Sequence, residues 1–309
     1  MGTVWQPGDV HPLAKAGLAA AAAGVAGVAY AGGYEVRAFT LRRVDVRLLP
    51  PGAGPLKVLH ISDLHLTPQQ TGKQRWVRDL AALEPDLVVN TGDNLGHPEA
   101  AESVVDAYGP LLDVPGVFVF GSNDYFAPVL KNPARYLLPS GQDKTRRGKR
   151  LPWPQLREAF TARGWTELTN RRELVKVDDL RLAFAGVDDP HLGYDDLDAV
   201  AGPADADADV RIGVTHAPYL RVLDAFTRDA YDMILAGHTH GGQLCVPFYG
   251  ALVTNCDLDT ARVKGLHEHA VDGRSSRLHV SAGLGTSPYA PVRFCCRPEA
   301  TLLTLLPVS

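Results

Sequence analysis

Apolar and polar positions alternate along this chain in short blocks. Six runs of five to seven residues are almost continuously apolar: LKVLHI (56–61), DLVVN (86–90), GVFVF (116–120), LRLAFAG (180–186), VRIGVT (210–215) and YDMILAG (231–237). Such runs predict strands buried on both faces. Segments with helical spacing separate several of them. Trp76, Leu80 and Leu83 share a stripe that ends at Pro85; SVVDAYGPLL predicts a second helix; Leu156 and Phe160 a third; Leu220, Leu223 and Phe226 a fourth. Strands alternating with helices predict an α/β chain of βα units around buried sheets. From about residue 245 the pattern changes. LCVPFYGAL, RSSRLHVSAGLG and ATLLTLLPV predict strands joined by turns, with no long helix.

The N-terminal part differs. Residues 16–34 carry no charge, and a membrane-spanning helix needs ~20 apolar residues. The run is mostly Ala and Gly, a weak span on an insertion scale. Three readings stay open: a membrane anchor, a cleaved signal peptide ending at Ala29-Tyr30-Ala31, or a helix or tail that never meets lipid. Arg37, Arg42, Arg43 and Arg47 follow the run, whereas Lys15 is nearly alone before it. For an anchor, that bias keeps the downstream domain cytoplasmic; an exported domain is the alternative. Residues 35–50 alternate with a period near two, as in an edge strand, and the Pro-Pro-Gly-Ala-Gly-Pro stretch at 50–55 breaks it. The expected organisation is an apolar segment (1–34), a strand and linker (35–55), and one domain (56–309).

Composition narrows the partners. A net charge of −4 gives no broad basic field for large nucleic acids. One basic stretch, GQDKTRRGKR (141–150), sits inside an irregular region from about 127 to 152. It reads as a solvated loop, or as a flap that meets an anionic substrate or a lipid surface. The four cysteines show no metal or disulfide spacing, and the adjacent Cys295 and Cys296 read as core thiols.

Five of the apolar runs lead into polar clusters: Ser62-Asp63-Leu64-His65, Thr91-Gly92-Asp93-Asn94, Gly121-Ser122-Asn123-Asp124, Thr215-His216-Ala217-Pro218 and Gly237-His238-Thr239-His240-Gly241-Gly242. Sites in α/β proteins lie beyond the carboxyl ends of strands. Residues i and i+2 of an extended segment face the same side, so Asp63 and His65 can grip one ion. His238 and His240 have the same spacing, and their flanking glycines favour a non-helical turn. Imidazole and carboxylate suit Mn, Fe, Zn or Ni. Asp93 has lone pairs enough to bridge two ions, and two ions about 4 Å apart can clamp a phosphoryl group. In a second tier, Asp188, Asp189 and His191 follow another strand run and are candidates to line a pocket, as is Asn94.

The set SDLH, GDN, GSND, THAP and GHTHGG resembles the calcineurin-like metallophosphoesterase superfamily, most closely its YkuE-like bacterial phosphodiesterase branch. The resemblance covers roughly residues 56–300. It implies two packed mixed β-sheets in a sandwich flanked by helices, with metals at the sandwich edge. It implies one divalent ion held by Asp63, His65 and His240, a second by Asn123, His216 and His238, and Asp93 between them. The implied reaction is in-line attack of an activated hydroxide on a phosphate ester, with a lipid- or nucleotide-linked phosphate at a membrane as candidate substrate. The rival reading is a catalytically weak binding or scaffold member of the same fold. One motif departs from the family's G-N-H-D/E. An ungapped match puts Ser122 at the ligand Asn and Asn123 at the second-shell His, whereas a one-residue slip keeps Asn123 as ligand and brings Asp124 to the place of that His. The slip is favoured because a carboxamide oxygen ligates better than a serine hydroxyl, and it gives Asp124 the expected role of general acid.

Overall fold

The computed structural model describes residues 12–129 and 147–308. Two six-stranded sheets form the centre. In chain order the strands of the first are β1 (Thr40–Leu49), β2 (Leu56–Ile61), β3 (Leu87–Asn90), β4 (Gly116–Phe118), β5 (Thr166–Glu167) and β14 (Glu299–Pro307), arranged β1-β14-β2-β3-β4-β5. The second holds β6 (Arg171–Val177), β7 (Leu180–Gly186), β8 (Val210–Val214), β9 (Met233–Ala236), β12 (Gly265–Val271) and β13 (Arg274–Val280), arranged β12-β13-β9-β8-β7-β6. A hairpin of β10 (Cys245–Val246) and β11 (Gly250–Ala251) stands apart from both. Strands β2 to β5 run parallel, as do β7, β8, β9 and β13, while the outer pairings β14–β2, β6–β7 and β12–β13 are antiparallel.

The period-two rule sorts the side chains into layers. Val58, Val89 and Val117 of the first sheet face Leu182, Ile212 and Leu235 of the second, and close the inter-sheet core. Their neighbours Leu59, Val88 and Phe118 turn outward against three helices, α2 (Thr71–Asp79), α3 (Ala101–Tyr108) and α4 (Trp153–Ala162), through Val77, Val104, Tyr108, Leu156 and Phe160. On the far side Ala185, Ile234 and Leu278 meet Val222, Leu223 and Phe226 of α5 (Leu220–Arg228). Central strands are therefore apolar on both faces, which is why they appear as unbroken runs in the sequence.

Strand β1 pairs parallel with β14 along its length and buries Val46 and Leu49, so residues 40–49 belong to the first sheet as its edge strand. Ahead of it stands helix α1 (Pro12–Ala29), which continues through two turns to Arg37. The whole helical stretch Leu13–Arg37 is long and apolar enough to cross a membrane, and its apolar window is entirely unburied. Its 25 residues rise about 37 Å at 1.5 Å per residue, against ~30 Å of bilayer core. The foot of this stretch is tied to the domain. Ala31 is buried and its carbonyl accepts from Arg293 N, and the buried Glu35 carboxylate accepts from the amides of Cys295 and Cys296. Cys296 is buried, but Cys295 is exposed and not a core thiol.

Candidate metal centre

Five loops meet at one edge of the sandwich, three following β2, β3 and β4 and two following β8 and β9. Both sheets thus contribute, because their parallel strands end on the same side. The loops are close-packed. Gly92 has φ +90°, and a Cβ there would lie 2.5 Å from Gly121 N. A Cβ on Gly237 would meet Asp63 Oδ2 at 2.5 Å. Larger residues at either position would push the loops apart.

The polar side chains converge in two groups. In one, Asp63, His65 and His240 lie together, with His65 Nε2 3.2 Å from His240 Nε2 and His240 Nε2 3.6 Å from Asp63 Oδ1. In the other, His216 Nε2 is 3.2 Å from His238 Nδ1 and 3.5 Å from Asp93 Oδ2. Asp93 joins the groups, since its Oδ2 is also 3.4 Å from His65 Nε2. Asn123 reaches the same carboxylate, Nδ2 donating to Oδ2 at 2.7 Å and the backbone N to Oδ1 at 2.7 Å. The i, i+2 pairs do act together, but not in the extended form expected from their spacing. Asp63, His65, Asp93, His238 and His240 all have positive φ, between 41° and 69°. Left-handed backbone is uncommon outside glycine and costs of order 1 kcal/mol or more per residue. The loops hold this strain in order to aim the side chains inward.

The donor set fits divalent cations. His216 Nδ1 donates to Thr91 O (2.8 Å), His240 Nδ1 to Gly285 O (3.1 Å) and His238 Nε2 to Asn255 O (3.2 Å). Each carbonyl fixes one ring nitrogen as the donor and aims the other at the cluster, where it is bare whenever the ring is neutral, the arrangement in which imidazole binds metal. Two pairs of ring nitrogens, His65 with His240 and His216 with His238, face each other at 3.2 Å. Burial holds His238 and His240 well below the ordinary imidazole range, and holds His65 near 4 despite the pull of Asp93. Burial also opposes the charged form of His216, but Asp93 and Asp63 outweigh it and raise this ring to about 9. Asp93 is held to about 2 against burial, by His216, His65 and Asn123, whereas burial lifts Asp63 to about 6. Three rings are therefore neutral at pH 7, as coordination requires.

Two expected roles change. Asp124 is fully buried and its carboxylate accepts from the backbone N–H groups of Asp93, Asn94, Leu95 and Gly121, at 2.8 to 3.2 Å. Its lone pairs are occupied by the loops it ties together, so in this geometry it holds the scaffold, although burial and the nearby Asp93 lift its carboxyl to about 7. Asn94 is likewise buried, its amide oxygen accepting from Asn90 Nδ2 and the Tyr108 hydroxyl, so its side chain is engaged in the network around Asp124. Within the departing motif, Asn123 touches the cage carboxylate, while Ser122 Oγ lies behind it, 3.3 Å from Asn123 Nδ2.

Of the second-tier residues, His191 and Asp189 border the cage, and Asp188 lies in a neighbouring cavity. The His191 ring lies 4.5 Å from that of His238, and Asp189 is buried with its Oδ1 accepting from His191 N and its Oδ2 without a protein partner. Asp188 accepts from the Tyr125 hydroxyl at 2.8 Å and lines a cavity of about 230 Å³ between Tyr125, Trp153 and Tyr194. Of the basic stretch, residues 141–146 lie outside the described residues. Arg147 sets its guanidinium over the rings of Phe126 and Tyr194, at 5.2 and 5.3 Å.

Two supports had no motif to announce them. Arg293, fully buried, donates to the carbonyls of Ala282, Gly283 and Gly285, and so fixes the loop that orients His240. Lys73 of α2 is buried and donates to Leu64 O, between two cage residues, at 2.7 Å. Arg293 stands alone between apolar neighbours in the sequence, a signal for a buried charge, whereas Lys73 lies in a polar, basic stretch that gives none.

A two-sheet sandwich with this cluster at its edge defines a metallophosphoesterase. The family model for calcineurin-like phosphoesterases matches residues 56–242, and the chain belongs to that family. It is similar to the uncharacterized metallophosphoesterase YkuE of Bacillus subtilis, with 27% identity covering 86% of this chain and 84% of that one. Phosphodiesterase YaeI of Escherichia coli is 25% identical, covering 87% of this chain and 88% of its own length. A bovine transmembrane protein with a metallophosphoesterase domain is 29% identical, covering 87% of this chain and 57% of that protein.

Proposed function

We propose that this protein hydrolyses a phosphate ester, preferentially a diester, with two divalent cations held in the cage. The observation that supports this best is the convergence of four histidine ring nitrogens, in two close pairs, on either side of one carboxylate, Asp93. Asp63, His65 and His240 would hold one cation; Asn123, His216 and His238 the other; Asp93 would sit between. Cations there supply Lewis-acid polarisation of the phosphoryl oxygens and lower the pKa of water. The chain's own groups orient and seal. Thr91, Gly285 and Asn255 fix the ring tautomers, and Asp124 locks the loops after β3 and β4. His191 and Asp188 would border the substrate. The family's second-shell histidine is absent, with Asn123 and Ser122 in its neighbourhood, so no imidazole stands ready there to protonate a leaving group. Esters with acidic leaving groups are therefore the better substrates. The preference for diesters leans on the likeness to YaeI, and a lipid- or nucleotide-linked phosphate at a membrane on the bare helix α1.

The test is turnover of bis-p-nitrophenyl phosphate and p-nitrophenyl phosphate by protein loaded with Mn, with the bound metal measured. The expected result is faster cleavage of the diester. No turnover of either by metal-loaded protein sinks the hydrolase reading.

A further inference from the structure

Three segments far apart in the sequence carry no charged residue: 16–34, 241–256 and 280–292, in a chain where 21% of residues are charged. The fold assembles them into one face. Gln243 Nε2 donates to Ala290 O at 2.8 Å, Leu244 bridges to Phe294, and the Phe294 ring meets that of Tyr30 edge-on at 6.1 Å. The β10–β11 hairpin stands on this face and begins directly after the His240–Gly242 turn. Its large side chains point away from the protein. Exposure runs from 42% at Val246 to complete at Phe248, with Leu244, Tyr249 and Leu252 between, and Tyr289 is exposed beside them. Single exposed apolar residues are ordinary, but a contiguous uncharged patch marks an interaction surface. Phe248 is also held at φ 66°, a backbone region unfavourable for a bulky residue, with no packing inside the protein to offset it.

The occupant follows from α1. A bare helix of bilayer length rises from the same patch, its foot tied to the 293–296 loop. A membrane that receives α1 lies against the hairpin, and aromatic residues favour the headgroup level. We infer that the 244–252 hairpin, with Tyr289, dips into the bilayer interface beside α1 and sets the His240 side of the cage at the lipid surface.

The test uses the full chain in vesicles of phosphatidylethanolamine and phosphatidylglycerol. F248W adds a reporter at the tip, and L174W adds one on the exposed face of β6. With the wild-type emission subtracted, the F248W signal should be blue-shifted and at least halved when the lipids are brominated on their acyl chains, while L174W stays unquenched. Equal quenching of the two reporters overturns the inference. So does a blue-shifted F248W signal that brominated lipid leaves untouched, which would place the hairpin against a second copy. Turnover of soluble bis-p-nitrophenyl phosphate by both variants reports on the hydrolase reading alone, so the two ideas fail separately.

Discussion

Two buried polar clusters lie side by side in this protein and are built in opposite ways. Around Asp124, donors meet acceptors: four backbone N–H groups reach its carboxylate, Asn90 donates to Asn94, and Tyr108 completes the set. Around Asp93, ring nitrogens face ring nitrogens and carboxylates, and the His65 Nδ1 and Asp189 Oδ2 atoms have no protein partner. Residue types overlap; complementarity does not. A self-satisfied network is a scaffold, whereas a buried cluster that cannot satisfy itself is a receptor for something with the missing charge.

The contrast can be broken most decisively at its centre. Asp93→Asn should lower kcat/KM on the diester by roughly 10²–10³-fold, the scale of losing one charge-stabilising group, with bound metal reduced and the circular dichroism spectrum unchanged. Unaltered turnover would remove Asp93 from its place between the cations. Asp124→Asn should act through stability. It turns an acceptor into a donor facing buried N–H groups, at about 3 kcal/mol, which for a chain of this size lowers Tm by several degrees. Lost activity with Tm intact would restore Asp124 as a proton donor. Asn123→Ala should weaken turnover about tenfold, the effect of about 1.4 kcal/mol, and more than Ser122→Ala does. The reverse order would assign the second cation to Ser122.

The remaining effect is on pH. His216 is raised from 6.5 to about 9, chiefly against burial by Asp93 and Asp63. In chelator-treated protein its charged ring therefore stabilises the fold below pH 6.5, and that contribution fades as pH climbs through 9. Mn must displace the same proton, so its apparent affinity should rise between pH 6.5 and 9, by up to about tenfold per unit. Calorimetric Mn titration across that window checks it, and a flat profile would show that His216 is already neutral.

Much of this was legible in the chain. The six apolar runs all became central strands, because both their faces are buried and leave no polar interruption. Strands β6 and β12 escaped notice for the opposite reason. They are sheet edges, and β6 (RRELVKV) is largely exposed and carries charge. The cage residues were readable because coordination demands particular side chains at strand ends. The separation of Asp124 from Asn123 was not, since adjacent residues in a short helical turn (Ser122–Tyr125) point to different clusters. Arg293 and Lys73 act through backbone carbonyls, which any sequence supplies, so no partner pattern marks them.

The Glu35 carboxylate grips the amides of Cys295 and Cys296 on the loop that Arg293 braces beneath His240. Proteolytic shedding after Ala31 would discard the apolar helix yet leave this grip in the released fragment. A nick after Arg37 would take Glu35 away as well and slacken the floor of the site. The apolar helix and the floor of the site are therefore separable by a protease, and the few residues between Ala31 and Arg37 decide whether a cut leaves the site braced.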